Sequence, residues 1–229
     1  MKISKRYKEA LSLVENNSIH SIHDAVEILC KMPATKFDET VEISCNLGVD
    51  PKKSDQVVRG TVRLPNGSGK NVRVIVFTSE VEIALSAGAE HAGMDELIAK
   101  IQAGWLDFDI AIATVSAMKE VRKLARILGP RGLMPNPKSG TVTDDVVEGI
   151  RLVKAGRVEY KMDKTANIAI VIGKRSFEPE KIEENLRFAV KSLILAKPAS
   201  FSGQFLKNIS ISSTMSPGVK IDFTKEFEI

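Results

Sequence analysis

The chain has 229 residues, 43% of them hydrophobic and 27% charged. That composition excludes fibrous and disordered classes and allows one large domain or two small ones, at roughly 100–200 residues each. Lysine and arginine total 33 against 29 acids, a net charge of +4 with a pI near 9.0, which is compatible with a nucleic-acid partner without requiring one. No apolar run approaches the ~20 residues of a membrane span. The amino terminus reads as the start of an amphipathic helix and not as a signal peptide, and the two cysteines, Cys30 and Cys45, suit a reducing compartment. A soluble, cytoplasmic protein with no membrane partner is expected.

The first helix is read from Ser4 to about Asn16, with Tyr7, Ala10, Leu11 and Val14 inward and Lys5, Arg6, Lys8 and Glu9 facing water. A second starts at Ser21, where Asp24 makes a shortened capping box, and turns Ile22, Ala25, Val26 and Leu29 to one side until Pro33 stops it. From Thr40 to Val49 apolar and polar residues alternate strictly, which predicts a half-buried strand. Val58, Gly60, Val62 and Leu64 suggest its antiparallel return, and the cluster from Pro65 to Gly69 is a candidate linker.

The rhythm then changes. Short apolar strands at 72–77 and 110–115 alternate with helices at 80–87, 95–102, 116–128 and 143–155, the pattern of a parallel sheet covered on both faces. After Val158 two strands, ending at Asp163 and beginning at Asn167, are joined by a tight turn. A helix over 178–195 follows, with Ile182, Leu186, Ala189, Val190 and Leu193 inward, and a last strand contains Ile209 and Ile211. The simplest assembly is an α/β protein of two domains. A discontinuous, split α/β terminal domain is made of residues 1–66 plus 160–229, and a parallel α/β insertion spans 67–159; a tandem arrangement is the alternative. With those cuts the insertion carries 12 bases and 12 acids, so the whole excess of positive charge falls in the terminal domain, the one expected to meet a polyanion.

Several motifs carry no chemistry. Gly67 to Lys70 ends like a phosphate loop, but Asn71 follows the lysine and a strand, not a helix, comes next. No glycine fingerprint opens a helix after a strand, so a dinucleotide enzyme lacks its loop. His20, His23, Cys30 and Cys45 lack zinc-ligand spacing. His91 has no partner nucleophile, and Asp107 and Asp109 mark the approach to a strand. No catalytic residues, metal or cofactor are expected.

Three features point to nucleic acid. Lys36 and Phe37 stand before the first strand, where the ring serves either the core or a nucleotide and the lysine a phosphate. Lys161, Asp163 and Lys164 make a charged turn. Ser212, Thr214, Met215 and Ser216, ahead of Gly218, set hydroxyls and a thioether at a strand end, groups able to meet ribose and phosphate. Separately, Arg122, Lys123 and Arg126 lead into a loop of prolines and glycines that holds Arg131 and Lys138 outward.

The fifteen residues from Gly129 to Thr143, GPRGLMPNPKSGTVT, resemble the signature of the L-one family of bacterial large-subunit ribosomal proteins. The segments from Lys36 to Glu42 and from Asp163 to Thr165, and the pair Thr214-Met215, match further family motifs in order, so the resemblance covers essentially the whole chain. It implies a split terminal domain and a Rossmann-like insert joined by a hinge. It also implies a non-enzymatic function: binding large-subunit rRNA at the base of the mobile side stalk, assisting exit-site tRNA release, and repressing translation of the protein's own operon mRNA. The free protein would be monomeric. The rRNA contacts it implies are Lys36, Phe37, Thr40, Glu42, Asp163, Lys164, Thr214 and Met215, with transfer RNA or another ribosomal protein as the partner of the region from Arg122 to Lys138. Three positions depart from the family pattern: Ser216 replaces a usual glycine, Ala169 lies near the place of a common histidine, and Lys161 stands where arginine is frequent.

Overall fold

Residues 3–14 and 18–227 are described by the computed structural model. The first helix, α1 (Lys5–Ser12), is capped by the Ser4 side chain. The part of the expected helix at 15–16 lies outside the described residues. A short strand β1 (Ile19–His20) precedes α2 (Ile22–Lys31), whose cap is the Ser21 hydroxyl accepting the Asp24 N–H and whose buried face is Ile22, Ala25, Val26 and Leu29. Next come β2 (Thr40–Leu47), a 3₁₀ turn at Ser54–Gln56 and β3 (Arg59–Arg63).

The middle of the chain forms β4 (Val74–Phe77), α3 (Val81–Ser86), β5 (His91–Gly93), α4 (Asp95–Gln102), β6 (Ile110–Ala113), α5 (Met118–Val121), α6 (Ala125–Leu128) and α7 (Val146–Lys154). The end supplies β7 (Arg157–Lys161), β8 (Asn167–Lys174), α8 (Pro179–Leu195), β9 (Leu206–Ser213), β10 (Val219–Ile221) and α9 (Thr224–Phe227).

These elements divide into two compact units, one of residues 1–70 and 158–229 and the other of residues 71–157. In the first, the described strands form a sheet of order β1-β10-β9-β2-β8, with β2 antiparallel to both β8 and β9. The alternation read from Thr40 onward is the reason: Val41, Ile43, Cys45 and Leu47 are buried against α2 and α8, while the intervening polar residues face away. Proline at the first position of α8 costs no hydrogen bond there. Its inward residues Ile182, Leu186, Ala189, Val190 and Leu193 are fully buried, each large one contributing about 1.5–3 kcal/mol.

In the second unit β5, β4 and β6 lie parallel in that order. One face of β4, Ile75 and Phe77, packs with α4, α5 and α6; the other, Val74 and Val76, packs with α3 and α7. A strand buried on both faces must be apolar throughout, as β4 is.

Five expectations are corrected. β3 pairs with β7 in a separate two-stranded sheet and not with β2, both of whose edges are taken by β8 and β9. β7 pairs with β3 and not with β8, so these two do not form a hairpin ladder, although the turn between them is tight. The helix expected over 116–128 is interrupted by a 3₁₀ turn at Arg122–Leu124; residues three apart eclipse in such a turn, which brings buried Val121 and Leu124 over the same point. The segment 65–69 is no free linker, because the buried Asn185 amide holds it: the Asn66 N–H donates to Asn185 Oδ1 (3.0 Å), and Asn185 Nδ2 donates to the carbonyls of Gly67 (3.0 Å) and Ile172 (2.7 Å). Finally, Arg6 does not simply face water: it is only partly exposed, and its guanidinium reaches toward Glu39, as described below.

Candidate nucleic-acid interface

Helices cover one face of the five-stranded sheet, and the other face is polar. Thr40, Glu42, Ser44 and Asn46 of β2 lie beside Ser212, Ser210 and Asn208 of β9 and Val171, Ala169 and Asn167 of β8. Ala169, at the place of a common family histidine, thus stands exposed on this face opposite Ser44.

At the Thr40 end four backbone segments meet around Glu39, whose side chain is 0% exposed. Glu39 Oε2 accepts from the Ser213 hydroxyl and from the Met215 N–H (3.2 Å). Oε1 accepts from the Thr35 N–H (3.2 Å) and Arg175 Nη1 (3.4 Å), with Arg6 Nη1 at 3.9 Å. Burial pushes this carboxyl up, but the bonds from Ser213, Met215 and Thr35 and the Arg175 charge outweigh it, and Glu39 ionises below the ordinary carboxylate range. Arg175 also donates to the Met32 carbonyl, and Arg6 Nη2 to that of Met215 (2.9 Å).

Around this buried charge the turn after β9 is fixed. The Thr40 N–H donates to Thr214 Oγ1 (3.0 Å), and the Thr214 N–H donates back to the Thr40 carbonyl (3.1 Å). Lys174 Nζ donates to Thr40 Oγ1 (2.9 Å). Ser216 needs none of glycine's freedom, since the positive-φ residues do not include it. Its hydroxyl accepts the Ser213 N–H (2.8 Å) and donates to the Pro217 carbonyl (3.1 Å), which folds it into its own turn. The loop before β2 is tied by Ser176 donating to both Asp38 oxygens, at 3.1 and 2.8 Å. Two apolar side chains stay out of all this: Phe37 is 52% exposed and Met215 49%. The core alternative for Phe37 is therefore ruled out. Lys36, beside it, is exposed, and Gly218 closes the rim ahead of β10.

The charged turn lies elsewhere. Asp163 Oδ1 accepts from the Thr165 and Asn167 N–H groups, both at 2.8 Å, and Ala166 takes a φ of 61°. Because Asn46 pairs with Asn167, this turn sits at the Leu47 end of β2, roughly 20 Å along the strand from Thr40. Lys161 and Lys164 are exposed there. The expected residues thus form two groups at opposite ends of one face, with Glu42 and Ser212, a directly opposed pair, between them.

Sequence reading missed Glu39, Arg175, Lys174 and Arg6. A signal for Glu39 exists: it shares the parity of Val41 and Ile43, so the alternation points it inward, and a buried carboxylate demands donors. Cys45 is buried on the same side, which pushes its thiol up to about 12 and leaves it an inert core group.

In the second unit Arg122, Lys123, Arg126 and Arg131 are all exposed, with Lys123 paired to Glu120. Lys138 falls in the 3₁₀ turn Pro137–Ser139, and its side chain lies outside the described residues. Asp107 and Asp109 clasp Arg73 at the entry to β4, a structural role.

Fold and face together define a mixed α/β protein whose candidate site is a broad polar surface with an apolar-studded rim. The chain belongs to the ribosomal protein L1p/L10e family, whose model matches residues 29–217, a span that includes Phe37, Glu39 and Met215 and the whole of the second unit. Among curated proteins it is similar to the large ribosomal subunit protein uL1 of Kosmotoga olearia, 52% identical over 229 residues and covering 99% of each chain. It is also similar to uL1 of Protochlamydia amoebophila, 50% identical over 221 residues and covering 96% of this chain and 94% of that one.

Proposed function

We propose that this chain is a protein of the large ribosomal subunit that binds rRNA, and that it grips the base of the mobile side stalk with the open sheet face and the Glu39 rim. The observation that carries the reading is the rim itself. Phe37 and Met215 are held half-exposed by a bonded framework, so they meet a ribose or base face with little ordering left to do. Hydroxyls along β2 and β9 suit 2′-hydroxyls and phosphates. Lys36 at one end and Lys161 and Lys164 at the other supply salt-dependent attraction, and their separation suits a folded RNA surface and not a single nucleotide.

The two compact units are proposed as a split rRNA-binding domain and an inserted Rossmann-like domain. The exposed cations Arg122, Lys123, Arg126 and Arg131 of the insert are proposed to meet exit-site tRNA or a neighbouring ribosomal protein as the stalk moves. Repression of the protein's own operon mRNA would use the same rim, through a messenger segment that mimics the rRNA site. The free protein is taken to be monomeric and cytoplasmic.

Filter binding of the full chain to a stalk rRNA fragment tests the reading. Thr214→Ala and Met215→Ala each weaken binding by ~1–3 kcal/mol, and log affinity falls with log salt at a slope of roughly −2 to −3, as about three phosphate contacts require. Wild-type affinity in both variants rejects the site.

A further inference from the structure

We propose that Glu39 is the positioning residue of this interface: its buried carboxylate presets the Thr214–Ser216 turn and the Thr35–Phe37 loop in the conformation that receives RNA. The inference rests on the RNA-binding reading of the rim and adds a residue that does not itself reach the surface, since its side chain is 0% exposed.

Every group facing Glu39 is a donor. Ser213 and the Met215 N–H meet one oxygen; the Thr35 N–H and the guanidiniums of Arg175 and Arg6 meet the other. These donors come from the end of β9 and the turn after it, the loop before β2, the segment joining β8 to α8, and α1. Other bonds join some of these segments in pairs, Thr214 to Thr40, Ser176 to Asp38 and Arg6 to the Met215 carbonyl, but the Glu39 carboxylate bonds the turn after β9, the loop before β2 and Arg175 at once. Its own backbone is held by the sheet, through the Arg175 N–H donating to the Glu39 carbonyl at 2.8 Å. An anchor fixed to β2 therefore reaches both apolar residues: Met215 directly through its N–H, and Phe37 through Thr35, whose hydroxyl bonds the Phe37 carbonyl at 2.8 Å.

The chemistry requires a carboxylate and not merely a polar group of that size. Glutamine keeps the shape but replaces one acceptor by an NH₂ group. Turned toward Thr35 and Arg175, that NH₂ faces two obligatory donors; turned the other way it can donate to the rotated Ser213 hydroxyl, but the Met215 N–H loses its acceptor. Two guanidiniums also lose their buried counter-charge. The turn or the loop must then move, and the rim with it.

The test compares full-length Glu39→Gln, Ser213→Ala, Met215→Ala and Phe37→Ala, and the double variant Glu39→Gln/Met215→Ala. Each is measured by filter binding to the stalk rRNA fragment, by thermal unfolding and by the backbone amide resonance of residue 215. In folded Glu39→Gln the Met215 amide shifts and affinity drops at least about tenfold, the range for a lost bond to a charged group. The double variant binds within about twofold of its weaker parent, because the Met215 contact is already lost. Ser213→Ala shows the same changes at smaller size and serves as the test if Glu39→Gln does not fold. Wild-type affinity in a folded variant overturns the proposal, as do an unmoved Met215 amide or losses that multiply in the double variant. If the wild type fails to bind, or if Met215→Ala and Phe37→Ala both match it, the RNA reading itself falls. If those two weaken binding and Glu39→Gln does not, only the positioning role falls.

Discussion

Asn185 sits fully buried on the inner face of α8, among leucines and isoleucines. Its amide meets the Asn66 N–H and the carbonyls of Gly67 and Ile172, so one side chain satisfies three backbone groups that no ladder reaches. Replacing it strands them away from water. Asn185→Ala is expected to lower stability by about 2–4 kcal/mol, read as a drop in the urea midpoint with an unchanged slope; a loss under 1 kcal/mol would show that water takes over. Periodicity marks position 185 as inward, next to Leu186, but the partner segment is more than a hundred residues away in sequence. Phe37 is the converse case. Composition leaves its ring equally suited to core or surface, and in the folded chain the loop that carries it is tied by Thr35 to Glu39 and by Asp38 to Ser176 with the ring outward. Ser216 shows how a departure from the family pattern is absorbed, its hydroxyl completing the turn that a glycine would leave open.

At the scale of elements, β2 is the organising strand. It is an interior strand, with β8 and β9 on either side and the two candidate groups at its ends. The rim end is joined through Glu39, and this has a pH consequence. Its carboxyl ionises below the ordinary value of 4.5, so its contribution to stability is fully present above about pH 4.5 and is lost as pH falls through the lower folded value. Asp163 at the other end is held below its ordinary 3.8 by the Asn167 and Thr165 bonds, with the same sign in a more acid window. Urea midpoints measured from pH 7 to pH 3 should therefore fall more steeply below 4.5 for the wild type than for Glu39→Gln. Parallel curves would mean that the carboxylate has no net role in folding. The alternation in β2 was legible residue by residue. The partners of β3 and β7 were not, because strand pairing depends on which edges remain open once β8 and β9 have docked.

Over the whole molecule, the chain leaves one compact unit after Lys70 and returns at Val158. The first unit's buried core draws on α1, α2, α8 and both ends of the chain, while the buried clusters of the second come from residues 74–153 alone. If the units are separate domains, replacing residues 71–157 by a short flexible linker leaves a protein that unfolds cooperatively and binds the rRNA fragment within about tenfold of the full chain. A well-folded deletion that does not bind would place essential contacts in the insert. The net charge of +4 adds to this reading but does not locate the site, since beneath the rim lies a buried carboxylate facing two guanidiniums.

Local pattern alone determined the helices with strong apolar faces, the alternating strand from Thr40, the doubly covered parallel strands, and the family motifs around Lys36, Asp163 and Thr214. These depend on side-chain periodicity and on short runs of residues, which are written along the chain. The partners of β3, the reach of Arg6 toward Glu39, the burial of that carboxylate and the separation of the charged turn from the hydroxyl-rich rim were decided by tertiary structure. Each depends on which distant segments share a strand edge or a buried charge, and that is settled only when the sheet closes and every buried polar group finds its partner.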